Sequence, residues 1–125
     1  VYGPLLLFGL GGIYVEYLKD VAFGVPPLTD RDAMRMIESI RSFPILRGVR
    51  GEPPRDVKAL QEAILRLAQL VSDFDVIQEM DLNPVLVLAE GEGYRAVDAR
   101  VILTPPPDGA SIGTISGTTS PRPAP

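Results

Sequence analysis

Glu79, Asp81, Asn83, Asp98 and Arg100 are the residues whose types and spacing point most directly to chemistry. Glu79, Asp81 and Asn83 are two apart, so on an extended strand their side chains project from one side. Ala89-Glu90-Gly91-Glu92-Gly93 reads as a turn, and a hairpin centred between Glu90 and Gly91 sets Asn83 opposite Asp98. Directly opposed residues of an antiparallel pair point to the same side of the sheet. Asp98 and Arg100 then stand beside the first three, giving an oxygen-rich patch with a guanidinium at its edge. Such a patch suits a hard divalent cation carrying a polyphosphate: carboxylate and amide oxygens ligate the metal, and a nearby cation meets phosphate oxygens. A bulge in the turn would break this register. Alternating charge on a strand also suits a plain solvated face, with Asn83-Pro84 as a turn.

A second feature is Gly9-Leu10-Gly11-Gly12, where glycines let backbone N–H groups approach phosphate closely. It is neither a GxGxxG motif nor a P-loop, and a tight turn between strands is its simpler reading. Glu16 follows near one end of the next strand, either as a functional carboxylate or as a surface partner for Lys19. A third is Arg47-Gly48-Val49-Arg50-Gly51-Glu52-Pro53-Pro54, which reads either as a mobile loop bringing arginines to phosphates or as a solvated connection between helices.

Composition narrows the chemistry. The chain of 125 residues has no cysteine and no histidine. A disulfide framework, a thiolate or histidine metal site and a Ser-His-Asp triad are therefore excluded within it. Any metal must be hard and oxygen-bound, with magnesium or manganese first. The formal net charge of −4 lacks the basic footprint of a nucleic-acid binder. No apolar run approaches the roughly 20 residues that span a bilayer, and Pro4-Leu5-Leu6-Leu7-Phe8 lacks the basic flank of a signal peptide. Neither nucleic acid nor membrane is expected as a partner.

The elements that must position these residues follow from periodicity. Residues 4–8 and 13–22 read as strands separated by the glycine turn, and Pro26-Pro27 ends that region. Thr29 and Asp30 are candidate N-caps for a helix with Ala33, Met36, Ile37 and Ile40 at helical spacing, stopped by Pro44. A second helix runs from about Arg55 to Phe74, with Val57, Leu60, Ile64, Leu67 and Val71 on one stripe. Residues 76–82, 84–88 and 94–102 read as strands. The expectation is an α+β fold with a mixed, partly antiparallel sheet and two main helices. The folded part is expected over residues 1–103. Residues 104–125, rich in Pro, Gly, Ser and Thr, are expected as a disordered tail. The abrupt start at Val1 reads as a piece of a longer protein.

Taken together, these motifs resemble the C-terminal half of the ATP-grasp domain of ADP-forming acetyl-CoA and acyl-CoA synthetases, related to succinyl-CoA synthetase β-subunits. The resemblance rests on Phe8-Gly9-Leu10-Gly11-Gly12-Ile13-Tyr14-Val15-Glu16, on Leu18-Lys19-Asp20-Val21-Ala22-Phe23 and on Leu46-Arg47-Gly48-Val49-Arg50-Gly51. Asp81-Leu82-Asn83-Pro84 followed by Ala96-Val97-Asp98-Ala99-Arg100 is its strongest part. It implies an enzyme that forms acyl-CoA from an acid, CoA and ATP, reversibly, with a phosphohistidine segment carrying the phosphoryl group between sites. Asn83 and Asp98 match the Mg2+ ligands. Gly11 and Gly12 match a glycine pair near the phosphates of ATP/ADP, Glu16 matches a family carboxylate, and Arg100 stands where a basic residue follows the metal aspartate.

The resemblance also implies partners: nucleotide here, and CoA, acyl substrate and a phosphohistidine-bearing domain or subunit through the rest of the parent. It implies a cytoplasmic location and no catalytic residue within this half. Two departures qualify it. The family often has an arginine after Val21-Ala22-Phe23, where this chain has Gly24-Val25-Pro26-Pro27. The N-terminal half of the grasp, with its nucleotide lysines, and the phosphohistidine are both missing, so the isolated chain is expected not to turn over. A half domain also exposes an apolar cleft face, which favours self-association. The alternative is a non-catalytic interaction or regulatory module that keeps the fold without the activity.

Overall fold

The computed structural model describes residues 3–10 and 20–105. Within them, β1 (Leu6–Gly9) pairs with β2 (Val21–Gly24), β3 (Ile77–Leu82) with β6 (Ala99–Leu103), and β4 (Val85–Val87) with β5 (Tyr94–Ala96). All three pairs are antiparallel. Helices α1 (Asp30–Ser39), α2 (Phe43–Leu46) and α3 (Val57–Asp73) fall between β2 and β3. This is the expected α+β arrangement with two main helices. The strand predicted over 4–8 is β1. Of the strand predicted over 13–22, only the end lies among the described residues, where β2 begins.

The helix boundaries follow from their caps. Thr29 rather than Asp30 caps α1, in a reciprocal box: Asp32 N–H donates to Thr29 Oγ1 at 3.1 Å and Thr29 N–H donates to Asp32 Oδ2 at 2.9 Å. Pro44 does not stop this helix. The chain leaves α1 at Ser39, and Ile40 is already extended. The Arg41 and Ser42 N–H groups are drawn instead to the Asp20 carboxylate. Pro44 sits in the first turn of α2, where its missing N–H costs nothing. Asp56 caps α3, whose first residue, Val57, lies two residues inside the predicted start.

The core is where α1 meets α3 and the first strand pair. Ala33, Met36, Ile37, Leu60, Ile64 and Ala68 are buried, joined by Leu6 and Ala22 from the strands. The predicted stripe on α3 therefore faces inward, with Val57, Leu67 and Val71 packed at the margin. Gly24 lies so close to α1 that a Cβ there would stand 2.5 Å from Met36 Sδ. On the opposite face of the β1–β2 pair Leu7 lies directly opposite Phe23, each 60% exposed, flanked by exposed Leu5 and Val25. No helix among the described residues is long and apolar enough to cross a membrane.

Candidate metal centre

The segment predicted as one strand over 94–102 is split into β5 and β6 at Val97-Asp98. The reason lies on the partner, which breaks at Asn83-Pro84 because proline has no N–H to give the ladder. Register survives across both breaks. Asn83 N–H donates to the Asp98 carbonyl at 3.1 Å, and Val97 N–H donates to the Pro84 carbonyl at 3.0 Å. On one side Leu82 pairs with Ala99 and Asp81 with Arg100; on the other Val85 pairs with Ala96. Asn83 and Asp98 are thus opposite each other, as the hairpin reading predicts. The turn carries no bulge; the irregularity falls at Ile77/Glu79, on the far side of the site.

Asn83, Asp98, Asp81, Glu79 and Arg100 are all exposed. Asp98 Oδ1 accepts the Ala99 N–H at 2.9 Å, and Oδ2 takes no hydrogen bond among the described residues. Glu79 faces Ile102 across the pair rather than a charged residue. Among the described residues no cluster of three or more acidic groups could hold a metal. The arrangement offers two hard oxygen ligands, not an all-protein cage. A cation held this way keeps most of its coordination sphere for water and phosphate, which is the habit of Mg2+ rather than Ca2+.

Gly11, Gly12 and Glu16 lie outside the described residues. The residues that flank them are well fixed. Gly9 pairs with Val21, and a Cβ at Gly9 would stand 2.9 Å from the Asp20 carbonyl oxygen. Asp20 is 9% exposed and receives the Ser42 hydroxyl, the Arg41 N–H and the Ser42 N–H at 2.9 Å. The hydroxyl bond above all, then the two backbone bonds, hold its carboxyl below the usual value despite opposing desolvation. Sequence reading passed over Asp20, which ties the residue before β2 to the link between α1 and α2.

The Arg47–Pro54 loop is folded onto the turn end of the ribbon. Glu52 N–H donates to the Val49 carbonyl at 3.1 Å, and Glu90 N–H donates to the Pro54 carbonyl at 3.0 Å. Arg47 stacks on the Phe43 ring at 4.8 Å, and Arg55 pairs with Glu52 at 3.6 Å. Five residue steps at about 3.3 Å each lead from Asn83 to Leu88. The loop arginines therefore stand at the opposite end of the ribbon from the Asn83–Asp98 pair.

Asp56 is the second residue that sequence reading missed. It is 8% exposed. Its Oδ1 accepts the Ala59 N–H at 3.1 Å, and its Oδ2 accepts the Gly91 and Gly93 N–H groups at 3.1 and 2.8 Å. An aspartate immediately before an apolar helical stripe is a capping signal that was open to sequence reading; its second set of partners carries no such signal.

Comparison with known proteins puts these residues in context. A family model described as ATP-grasp domain matches residues 1–103. The chain is 54% identical over 100 residues to the 4-hydroxybutyrate–CoA ligase [ADP-forming] of Nitrosopumilus maritimus, covering 80% of this chain and 14% of that protein. It is 52% identical over 103 residues to the acetate–CoA ligase [ADP-forming] II subunit beta of Pyrococcus furiosus, covering 82% of this chain and 44% of that subunit. Among solved structures, the dinucleotide-forming acetyl-coenzyme A synthetase 1 of Ca. Korarchaeum cryptofilum is similar, with 42% identity and a TM-score of 0.78 over 82% of this chain and 47% of that chain. That protein was solved with coenzyme A and Mg-AMPPCP, its phosphohistidine segment pointing towards the nucleotide binding site. The chain thus spans less than half the length of these relatives.

Proposed function

The chain belongs to the ATP-grasp domain family, and on that premise we propose that it is the metal- and phosphate-binding part of an ADP-forming acyl-CoA ligase. One observation carries the reading: Asn83 and Asp98, which match the family's magnesium ligands, stand directly opposite one another in register. On this reading Asn83 and Asp98 would hold Mg2+, and two hard, exposed oxygen donors fit an ion that also keeps water and phosphate. When bound, Mg2+ supplies charge neutralisation at the β- and γ-phosphate oxygens of the nucleotide.

The chain's own residues do the rest. Arg100 offers its guanidinium to phosphate oxygens at the edge of the pair. Gly11 and Gly12 bring backbone N–H groups to the same phosphates, with Glu16 beside them. The complete protein converts an acid, CoA and ATP reversibly to acyl-CoA, ADP and phosphate. With no histidine in this chain, the phosphohistidine comes from another domain or subunit, as do the CoA and acyl sites, and the isolated chain does not turn over. Relatives that act on 4-hydroxybutyrate, acetate and trans-ferulate share this segment, which supports an acyl choice made elsewhere.

The test is calorimetric titration of ADP, with and without Mg2+, into the complete ligase and its Asp98→Ala variant. Magnesium-dependent binding that collapses in the variant supports the reading. Equal binding by both removes Asp98 from the metal site. No magnesium-dependent binding by either favours a non-catalytic interaction module.

A further inference from the structure

Resting on the metal reading above, we infer that Asp56 is a positioning residue for the Asn83–Asp98 pair, acting through the hairpin turn and touching neither metal nor nucleotide. One buried carboxylate serves two elements. Oδ1 closes the first turn of α3 through Ala59, and Oδ2 gathers the Gly91 and Gly93 N–H groups at the tip of the β4–β5 ribbon. The Asp56 N–H also donates to the Leu88 carbonyl at 2.9 Å, at the base of the same turn.

The tie matters because the ribbon is short. It has three paired positions between the turn and the Asn83–Asp98 pair; β3–β6 holds the same register on the other side, so what Asp56 fixes is the placement of the turn end. Gly91 and Gly93 have φ of +86° and +84°, a backbone path that tethering by two N–H groups to one oxygen makes unique. Asp56 also sets the angle of the ribbon against α3, since Val85 and Val87 pack on the core together with Val57. Only a carboxylate can accept from both ends at once. A serine can cap the helix but is too short to reach the turn, and an asparagine turns an NH2 group toward one set of donors.

The experiment compares wild type, Asp56→Ser and Asp98→Ala in the complete ligase. Serine is a strong N-cap, so α3 is retained. ADP affinity is measured with Mg2+ and in EDTA, alongside amide exchange at Gly91 and Gly93. The expected result for Asp56→Ser is a loss of about 10-fold or more in magnesium-dependent affinity, the range for groups that orient metal ligands. Binding in EDTA stays as in wild type, and exchange quickens at the two glycines. Wild-type magnesium dependence in Asp56→Ser beside its loss in Asp98→Ala overturns the positioning role and leaves the metal reading standing. Equal losses with and without Mg2+ mark a general structural role and overturn it too. Magnesium dependence unchanged in Asp98→Ala removes the metal reading and this inference together. Should Asp56→Ser fail to fold, Asp56→Asn is held to the same outcomes.

Discussion

Asp81 lies directly opposite Arg100 in the β3–β6 pair, yet no ion pair joins them among the described residues. On the proposed reading the guanidinium meets phosphate oxygens. Arg100→Ala is expected to weaken ADP binding by the complete ligase about 10-fold, as fits the loss of one charged hydrogen bond. Its thermal midpoint should stay close to wild type, because exposed substitutions move stability by about 0.5 kcal/mol or less. A variant that loses stability and keeps affinity would make Arg100 a structural partner of Asp81.

Asp20 should contribute to acid sensitivity. Its carboxyl is held below the ordinary value of 3.8, chiefly by the Ser42 hydroxyl and then by backbone bonds from Arg41 and Ser42. A depressed carboxylate stabilises the fold fully above its unfolded value and loses that contribution as pH falls through the folded value. Thermal unfolding followed downward from pH 5 should therefore fall more steeply in wild type than in Asp20→Asn, with the difference appearing below the ordinary value. Parallel profiles would remove Asp20 from this role.

Thr29→Ala removes the cap oxygen of α1 and leaves the Asp32 N–H without its acceptor. A loss of about 1 kcal/mol is expected from denaturant unfolding, and Thr29→Ser should restore most of it.

Gly48 has φ of +94°, and a Cβ there would meet the Glu52 carbonyl oxygen at 2.5 Å. Both the backbone conformation and the contact oppose a side chain, and the obstacle is main chain that cannot rotate aside. Gly48→Ala should cost about 2 kcal/mol or more. Gly51→Ala, where φ is +81° but the space is open, should cost about 1 kcal/mol.

Local signals carried much of this fold. The Asn83–Asp98 register was legible because the glycines of the 89–93 turn fix the hairpin centre and the flanking residues alternate. The α3 stripe was legible because five apolar residues recur at helical intervals. Pro44 misled because proline ends helices and also begins them, and what ends α1 is a carboxylate 21 residues upstream of Arg41. The reach of Asp56 was missed for the same physical reason: two of its three side-chain bonds go to glycines 35 and 37 residues away, and no local pattern encodes such a reach. The metal role proposed for Asn83 and Asp98 rests on resemblance, since spacing alone also suits a solvated strand.

The Leu7–Phe23 side of the β1–β2 pair has a further consequence. Leu7 and Phe23 present an apolar surface on a two-stranded ribbon whose outer edges have no ladder partner among the described residues. Apolar cover and free edges together are the starting condition for strands of separate molecules to zip onto one another. Expressed by itself, this segment should accumulate as insoluble β-rich material, and a single lysine in place of Phe23 should act as a gatekeeper that keeps it in solution.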